Sequence, residues 1–459
     1  MDQSIRFDAE LIRRYDCSGP RYTSYPTAVE FHPQFEAEAY QRHIDKSNGE
    51  GGPLSLYLHL PFCDTVCYYC ACNKIVTKNR SRAAPYLARL HREIAMLGRL
   101  FDSRRRVEQL HWGGGTPTFI SHRQMVELMG VTRQHFNLRS DDGGELSIEV
   151  DPREVQPETI GLLHELGFNR LSLGVQDFDP LVQRAVNRFQ TEQETFGVMD
   201  AARRSGFRSI SVDLIYGLPH QTVVRFARTL DRIIEALPDR LSVFNYAHLP
   251  ERFKTQRQIN AADLPSPAGK LEILQMTIER LTSAGYVYIG MDHFARPDDE
   301  LAVAQRDGRL YRNFQGYSTH AQCDLIGLGV TSIGSVGNAY VQNRRDLEEY
   351  VGLVDEGRLP VLRGVELQPD DLVRRAVITQ LICHFSLDFK VIEQNWSIRF
   401  ADYFHSELEA LRAMEDDGLL YCDDHRIEVT AAGRLLIRNI CMVFDRYFSR
   451  QRKQFSKVI

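Results

Sequence analysis

The chain has 459 residues, of which 43% are hydrophobic and 25% charged, and its 56 Lys and Arg against 61 Asp and Glu give a net charge of -5. This balance is ordinary for a folded globular protein and argues against disorder, collagen-like repetition and a surface coated for nucleic acid. No stretch approaches the ~18 uninterrupted apolar residues of a membrane span, and residues 1–6 lack the basic and apolar regions of a secretory signal, so we predict a cytoplasmic protein.

The first fifty residues show no clear strand pattern and are predicted to form an N-terminal arm. Their most distinctive stretch, 18–27, combines aromatic and turn-forming residues (SGPRYTSYPT). Such a segment could wrap the protein surface or contact a substrate, and both interpretations stay open.

From residue 51 to residue 350, short β-type runs alternate with helical patterns, which is typical of βαβ units and a parallel sheet. Between the first two runs, apolar residues recur from Leu87 to Phe101 at three- and four-residue spacing and predict an amphipathic helix. Its solvent-facing side is predicted to carry Arg89, Arg92 and Glu93. The predicted strands are 54–60, 107–112, 146–150, 170–176, 209–216, 241–246 and 286–291.

Four of these strands alternate apolar with polar side chains, so each would have one apolar and one polar face. The polar positions include Tyr57, Glu149, Gln176 and Asp213. A parallel sheet covered on both faces normally reads as continuous Val, Ile and Leu, and a single strand carboxylate is usually a solvated edge residue. Agreement among four strands instead predicts a curled sheet whose interior surrounds something polar.

Residues 351–459 are predicted to form a small helical domain of winged-helix type. Winged helices often bind DNA, but the net charge is negative and the basic residues near 450–457 form only a tail, so no nucleic-acid partner is predicted. The predicted elements are helices at 370–384, 403–415 and 431–448 and a hairpin-like piece at 419–430.

Four of the nine cysteines lie within ten positions directly after the first predicted strand, with the spacing C-x3-C-x2-C-x-C: Cys63, Cys67, Cys70 and Cys72. A reducing compartment argues against disulfides. Structural zinc usually takes two ligand pairs separated by a longer loop, whereas a compact loop of three cysteines suits a four-iron four-sulfur (4Fe-4S) cluster with one open iron. The spacing favours the cluster, and a zinc-stabilised binding module is the alternative from another class.

Around these cysteines, the segments YLHLPFC (57–63), CYYCACNK (67–74), HWGGGTPT (111–118), EVDPRE (149–154) and FQGY (314–317) resemble the oxygen-independent coproporphyrinogen III oxidases. This family of radical S-adenosylmethionine (SAM) enzymes is also called the coproporphyrinogen III dehydrogenases. The resemblance runs nearly end to end, from GPRYT at 19–23 into the C-terminal domain. It implies an α/β fold: a partial (β/α)6 TIM-like radical SAM barrel at 51–350, with the N-terminal arm at 1–50 and the winged-helix-like helical domain at 351–459.

The resemblance also implies a function. A 5'-deoxyadenosyl radical from SAM would start the anaerobic oxidative decarboxylation of the ring A and B propionates of coproporphyrinogen III to vinyl groups. The product would be protoporphyrinogen IX, in haem biosynthesis. An electron donor such as a flavodoxin or ferredoxin system and a monomeric state are also implied.

Site residues are carried over from the family by position. Cys63, Cys67 and Cys70 would hold the cluster. The first of two SAM molecules would contact Tyr57, Gly114, Glu149 and Ile333. The second would contact Tyr69, Gly115, Thr116, Gln176, Arg188, Asp213 and Ala247. The predicted catalytic set is Tyr57, His59, Cys72, Glu149 and Gln315.

Two assignments are less direct. Cys72 is not expected to bind the cluster and would lie by the second SAM or the substrate. Arg21 is a candidate for a substrate carboxylate because of its bidentate fork, along with His59 and Gln315.

The nearest rival function is the haem-chaperone branch of the same superfamily, which binds haem and lacks the dehydrogenase activity. It shares the C-x3-C-x2-C and GGGTP runs. Cys72 and the stretch 19–27 favour the enzyme.

Overall fold

The structure, a computed structural model, describes residues 5–139 and 143–448. Its strands are β1 (Leu54–Leu60), β2 (Phe62–Cys63), β3 (Ile75–Val76), β4 (Arg106–Gly114), β5 (Asn137–Leu138), β6 (Glu145–Val150), β7 (Arg170–Gln176), β8 (Ser209–Tyr216), β9 (Arg240–Asn245), β10 (Val287–Gly290), β11 (His293–Ala295), β12 (Tyr311–Asn313), β13 (Gly316–Ser318), β14 (Asp324–Leu328), β15 (Ile333–Val336), β16 (Ala339–Asn343), β17 (Val361–Glu366), β18 (Ser386–Asp388), β19 (Leu420–Cys422) and β20 (Arg426–Val429).

Its α-helices are α1 (Ala9–Arg14), α2 (Ala37–Glu50), α3 (Ala83–Leu100), α4 (His122–His135), α5 (Pro157–Glu165), α6 (Pro180–Ala185), α7 (Glu192–Ser205), α8 (Val223–Ala236), α9 (Pro267–Ser283), α10 (Glu300–Arg306), α11 (Leu347–Asp355), α12 (Pro369–His384), α13 (Phe389–Trp396), α14 (Phe400–Tyr403), α15 (His405–Asp416) and α16 (Ile437–Val443). No helix in the described part of the chain combines the length and apolar character needed to cross a membrane.

The described residues pack into two compact units, each assembled from separate segments. The barrel unit comprises 30–265 and 322–366, and the helical unit takes its described residues from 1–29, 266–321 and 367–459. The division of the chain at residues 50 and 350 stays a prediction.

The barrel unit is built on a sheet in which seven neighbouring strands run parallel, in the order β9-β8-β7-β6-β4-β1-β14. Three antiparallel strands, β15, β16 and β17, continue it beyond β14. Six of the predicted strands are present here as β1, β4, β6, β7, β8 and β9. The seventh is present as β10, which forms an antiparallel hairpin with β11 in the helical unit.

The predicted alternation of faces is confirmed along β6, β7 and β8, whereas every residue of β1, which lies between β4 and β14 in the sheet, is buried except Tyr57. In β6, Leu146, Ile148 and Val150 are buried, whereas Ser147 and Glu149 are only partly buried. β7 and β8 alternate in the same way. The strand period of two therefore places one polar row per strand on a common face of the sheet.

The amphipathic helix predicted from Leu87 to Phe101 is present as α3. The prediction that Glu93 lies on its solvent-facing side is wrong. Glu93 is fully buried, with its carboxylate accepting hydrogen bonds from Gly329 N–H and the Tyr350 hydroxyl. The reason is that α11 packs against this side of α3, so that Arg89 and Arg92 pair with Asp355 at the end of α11.

The helical unit contains α12 and the antiparallel sheet β18-β20-β19, which includes the predicted hairpin. The helix predicted over 403–415 is present as α14 and α15. The final predicted helix is shorter than expected: α16 ends at Val443, because the Asp445 carboxylate accepts a hydrogen bond from Tyr447 N–H and competes with helical bonding. The basic tail near 450–457 lies outside the described residues.

Candidate active site

The cysteine loop leaves the carboxyl end of β1 and is closed on itself by backbone hydrogen bonds. β2 pairs with β3 in parallel, and Ile75 N–H donates to Pro61 O at 2.6 Å. In the middle of the loop, Tyr68 N–H donates to Val186 O at 3.0 Å. Tyr68 and Tyr69 also pack against a buried apolar cluster that contains Val186 and Tyr246. The loop is thereby held on the barrel unit at both its base and its middle.

Beside the loop is a cavity of about 260 Å³ that is partly open to solvent. It brings together most of the predicted site residues: Cys63, Cys67, Tyr69, Cys70, Cys72, Gly114, Gly115, Thr116, Glu149, Gln176, Arg188 and Asp213. The polar rows of β6, β7 and β8 form one wall, as the alternation predicted. The sequence thus located the cavity and its lining within one unit.

The glycine run lets the end of β4 press against the cysteine loop. A Cβ on Gly115 would lie 2.6 Å from the carbonyl oxygen of Phe62, and one on Gly114 would lie 2.6 Å from the His59 ring. Gly114 also has a φ of +117°, which disfavours any other residue. Because no side chain intervenes, Thr116 N–H reaches Phe62 O at 2.7 Å.

Glu149 is an acidic group on the cavity wall that is held by two neighbours. Its Oε2 accepts a hydrogen bond from Gly114 N–H at 3.0 Å, and its Oε1 lies 3.4 Å from His111 Nε2. Desolvation acts to raise the pKa of Glu149, but the hydrogen bonds from His111 and Gly114 leave it below its ordinary value. Glu149 therefore presents a carboxylate at neutral pH.

Tyr57 and His59 do not line the cavity themselves but lie directly behind its wall. The Tyr57 hydroxyl lies 3.0 Å from His59 Nδ1, and the Tyr57 ring stacks on His111 with centroids 5.8 Å apart. Burial lowers the pKa of His59, so its imidazole is neutral at pH 7. The pair positions His111 and the glycine run.

Asp213 on β8 behaves differently from Glu149. Burial, together with the nearby Glu149 charge, raises the pKa of Asp213 to about 6. The Ser172 hydroxyl donates to its Oδ2 at 3.1 Å. Two carboxyl groups with different proton affinities therefore line one cavity.

Arg188 connects the cavity wall to the second cysteine. Its Nη1 lies 3.5 Å from Cys67 Sγ and 3.1 Å from Asp151 Oδ2, and its other nitrogen donates to Gly174 O. Arg153 joins them, with Nη2 at 3.8 Å from Cys67 Sγ and 2.6 Å from Asp151 Oδ2. Two guanidinium groups thus converge on one thiol.

Asp151 and Arg153 were not assigned roles from the sequence, although they stand in the EVDPRE segment. Their position directly after β6 could have identified them. The carboxyl ends of parallel strands lie at one edge of the sheet, so residues that follow these strands are expected to lie near the site. Ser172, Gly174 and Lys74 also line the cavity and were not assigned roles.

The three predicted cluster ligands, Cys63, Cys67 and Cys70, lie in one loop beside the cavity. Within the described residues, no group of three or more His, Cys, Asp or Glu side chains is arranged to hold one metal ion. A 4Fe-4S cluster needs a wider arrangement, because each thiolate binds a different iron. The hydrogen bond from Cys72 is the main influence that lowers the pKa of Cys70, to about 6, and Lys74 assists despite the opposing effect of burial. Burial raises the pKa of Cys63 to about 12, so the fit to the cluster rests on three thiols in one compact loop, and Cys72 is close to one of its predicted ligands.

Four other predicted residues do not line this cavity. Ala247 is linked to the loop, since Gln256 Nε2 donates both to Ala247 O and to Tyr69 O. Ile333 begins β15, at the antiparallel part of the sheet. Gln315 and Arg21 belong to the helical unit, where Arg21 pairs with Asp292 at 2.7 Å.

Comparisons with known proteins agree with this architecture. Residues 57–233 match the radical SAM superfamily, and residues 367–436 match a family described as the HemN C-terminal domain. The oxygen-independent coproporphyrinogen III oxidase of Pseudomonas aeruginosa is 58% identical over all of both chains. That of Escherichia coli is 53% identical over 100% of this chain and 99% of the relative.

A solved structure, described as coproporphyrinogen III oxidase from Escherichia coli and a radical SAM enzyme, has the same fold. It superposes with a TM-score of 0.93 at 52% identity, covering 97% of this chain and 100% of the other. Because identity this high extends over the entire length, the chain belongs to the family of oxygen-independent coproporphyrinogen III oxidases within the radical SAM superfamily.

Proposed function

We propose that the chain catalyses the anaerobic oxidative decarboxylation of the ring A and B propionates of coproporphyrinogen III to vinyl groups, giving protoporphyrinogen IX in haem biosynthesis. The observation that carries this function is the cavity in which three cysteines of the C-x3-C-x2-C loop face the polar rows of β6, β7 and β8. The relatives that bear the oxidase name match the whole chain and support it.

As a radical SAM protein, the chain binds a 4Fe-4S cluster and SAM. When bound, they supply a 5'-deoxyadenosyl radical able to remove hydrogen from unactivated carbon. Cys63, Cys67 and Cys70 are the proposed cluster ligands, and their thiolates would leave one iron open. The two guanidinium groups beside Cys67 would stabilise the negative charge of that thiolate.

The chain's other residues would bind and orient SAM. The Glu149 carboxylate suits the SAM amino group, since its own hydrogen bonds keep it ionised. The glycine run allows close approach of the backbone at Gly114 and Gly115. Tyr57 and Ile333 complete the proposed first SAM site.

A second SAM is proposed to contact the end of the glycine run together with side chains of β7 and β8 on the cavity wall. Its proposed partners are Tyr69, Gly115, Thr116, Gln176, Arg188, Asp213 and Ala247. Of these, Arg188 is pre-oriented by Asp151, and Asp213 by Ser172. Side chains held by such neighbours lose little freedom on binding, which favours a defined pose.

His59, Cys72 and Gln315 are proposed to act on the substrate side of the reaction, with Tyr57 and Glu149. Cys72 is exposed and neighbours Cys70. An electron donor of the flavodoxin or ferredoxin type, a monomeric state and a cytoplasmic location stay predictions.

The test is anaerobic incubation of reconstituted protein with reductant, SAM and coproporphyrinogen III, with protoporphyrinogen and 5'-deoxyadenosine as readouts. Both products are expected. Cys67→Ala should abolish both, while Cys422→Ala, at a half-buried thiol of the helical unit, should not. Haem binding without protoporphyrinogen would favour the chaperone function, and absence of 5'-deoxyadenosine would exclude the radical mechanism.

A further inference from the structure

The β12–β13 hairpin of the helical unit carries an arginine in an unusual setting. Arg312 is 7% exposed, and it lies opposite Tyr317 in the hairpin register. Its guanidinium carbon is 4.6 Å from the Tyr317 ring centroid. The ring packs against the guanidinium but offers no strong hydrogen-bond acceptor.

Among the described residues, Nε and Nη1 of Arg312 are buried and have no hydrogen-bond acceptor. The side-chain Nε2 of Gln315, in the turn of the same hairpin, is likewise buried without a partner. Buried charges in folded proteins are normally paired, because an unpaired one is strongly destabilising. These donors therefore point to a ligand that accepts hydrogen bonds and carries negative charge.

The neighbourhood of Arg312 is also positively charged. Arg438 donates to the backbone carbonyls of Gly19 and Pro20, which do not neutralise it. The pKa of Arg438 is lowered to about 10, mainly by burial and further by the positive charges of Arg21 and Arg312. The negative charge of Asp292 acts in the opposite direction. That carboxylate is already paired with Arg21 at 2.7 Å. The charges of Arg21, Arg312 and Asp292 therefore all act on the buried Arg438.

His293 lies beside Tyr317 in the same cluster. Its ring meets Tyr317 edge-on, with centroids 5.3 Å apart. Burial, and next the charge of Arg312, lowers the pKa of His293 to about 3, so it is neutral at pH 7. His293 therefore adds no positive charge to the cluster at pH 7.

We propose that Arg312 and Gln315 form a carboxylate-binding site in the helical unit, and that it binds a propionate of the tetrapyrrole substrate. The planar guanidinium fork matches a carboxylate, and the Gln315 amide can add a donor. This inference rests on the proposed function, whose substrate is a tetracarboxylate. SAM also carries a carboxylate, so the test must separate the two sources.

The test compares Arg312→Gln with Arg309→Gln in the full chain. Arg309 is 61% exposed and pairs with Asp307, so it provides a matched loss of charge three residues away. Coproporphyrin III, the fluorescent oxidised form of the substrate, is titrated anaerobically, and SAM binding is measured separately by equilibrium dialysis. Arg312→Gln should raise the Kd for coproporphyrin about tenfold or more, whereas Arg309→Gln and SAM binding should be unchanged.

Thermal unfolding of the free proteins separates a ligand site from a structural one. Removing a buried unpaired charge should leave Tm equal to or above that of the wild type. Arg312→Lys, which keeps the charge without the fork, should fold and give an intermediate Kd.

An unchanged coproporphyrin Kd in Arg312→Gln would overturn the proposal, as would a lower Tm or a loss confined to SAM. Failure of the proposed function looks different. A wild-type protein that binds coproporphyrin through Arg312 but does not convert coproporphyrinogen would refute the activity while supporting this site.

Discussion

Glu93 on α3 gives a direct test of the buried network behind the cavity. Its carboxylate is fully buried and accepts hydrogen bonds from Tyr350 Oη and Asn343 Nδ2, both at 2.6 Å, and from Gly329 N–H at 2.7 Å. Gly329 follows β14, next to β1, and the Tyr86 hydroxyl links the same turn to His59 O at 2.6 Å. We consider the substitution Glu93→Gln, which removes the ionisable carboxyl group and keeps a side chain of nearly the same size and shape.

Burial raises the pKa of Glu93 from 4.5 to about 7, even though all three donors favour the charged form. A pKa that differs by one between the folded and unfolded chain changes stability by about 1.4 kcal/mol, so the raised pKa of Glu93 corresponds to about 3 kcal/mol. Because the folded pKa is raised, this contribution is fully present below about pH 4.5 and is lost as pH rises through about 7. The free energy of unfolding is therefore lower at neutral and alkaline pH than at acidic pH by this contribution, which a variant without the Glu93 carboxyl lacks.

The assay is urea unfolding of the wild type and Glu93→Gln from pH 5 to pH 8. The wild-type free energy of unfolding, minus that of the variant, should fall by about 2–3 kcal/mol across this range. Titrations shared by the two proteins cancel in the difference. Glu348→Gln, at an exposed position on α11, is the control and should give a flat difference. A flat or rising difference for Glu93→Gln would refute the reasoning.

Three further variants probe the cavity. Cys72→Ser should keep the iron-sulfur absorbance and lose turnover, and loss of absorbance would show that this thiol binds the cluster. Gly115→Ala places a Cβ 2.6 Å from Phe62 O and should cost about 1–3 kcal/mol of stability with reduced iron content. Gly130→Ala, whose Cβ would meet nothing within 4 Å inside α4, should instead leave Tm unchanged or raise it. Glu149→Gln should raise the Kd for SAM at least tenfold, and unchanged binding would remove Glu149 from the SAM site.

The sequence by itself determined the features that depend on local spacing. The strand period of two assigned Glu149 and Asp213 to one face before any neighbour was known, and both line the cavity. The cysteine spacing placed three thiols in one loop. The glycine run indicated a place where the backbone can come close to a neighbouring group. The family resemblance added Arg188, which periodicity alone could not have selected.

Only the tertiary structure decided which side chains lose contact with water. Helical spacing put Glu93 on the side away from the apolar stripe, but its partner Asn343 is 250 positions distant in the sequence. Arg153 reaches Cys67 from a different strand end. Arg312 resembles an ordinary charged residue in the sequence, yet its Nε and Nη1 are buried without an acceptor among the described residues. Periodicity describes how one element is divided into faces, whereas burial and pKa depend on the distant segment that packs over each face.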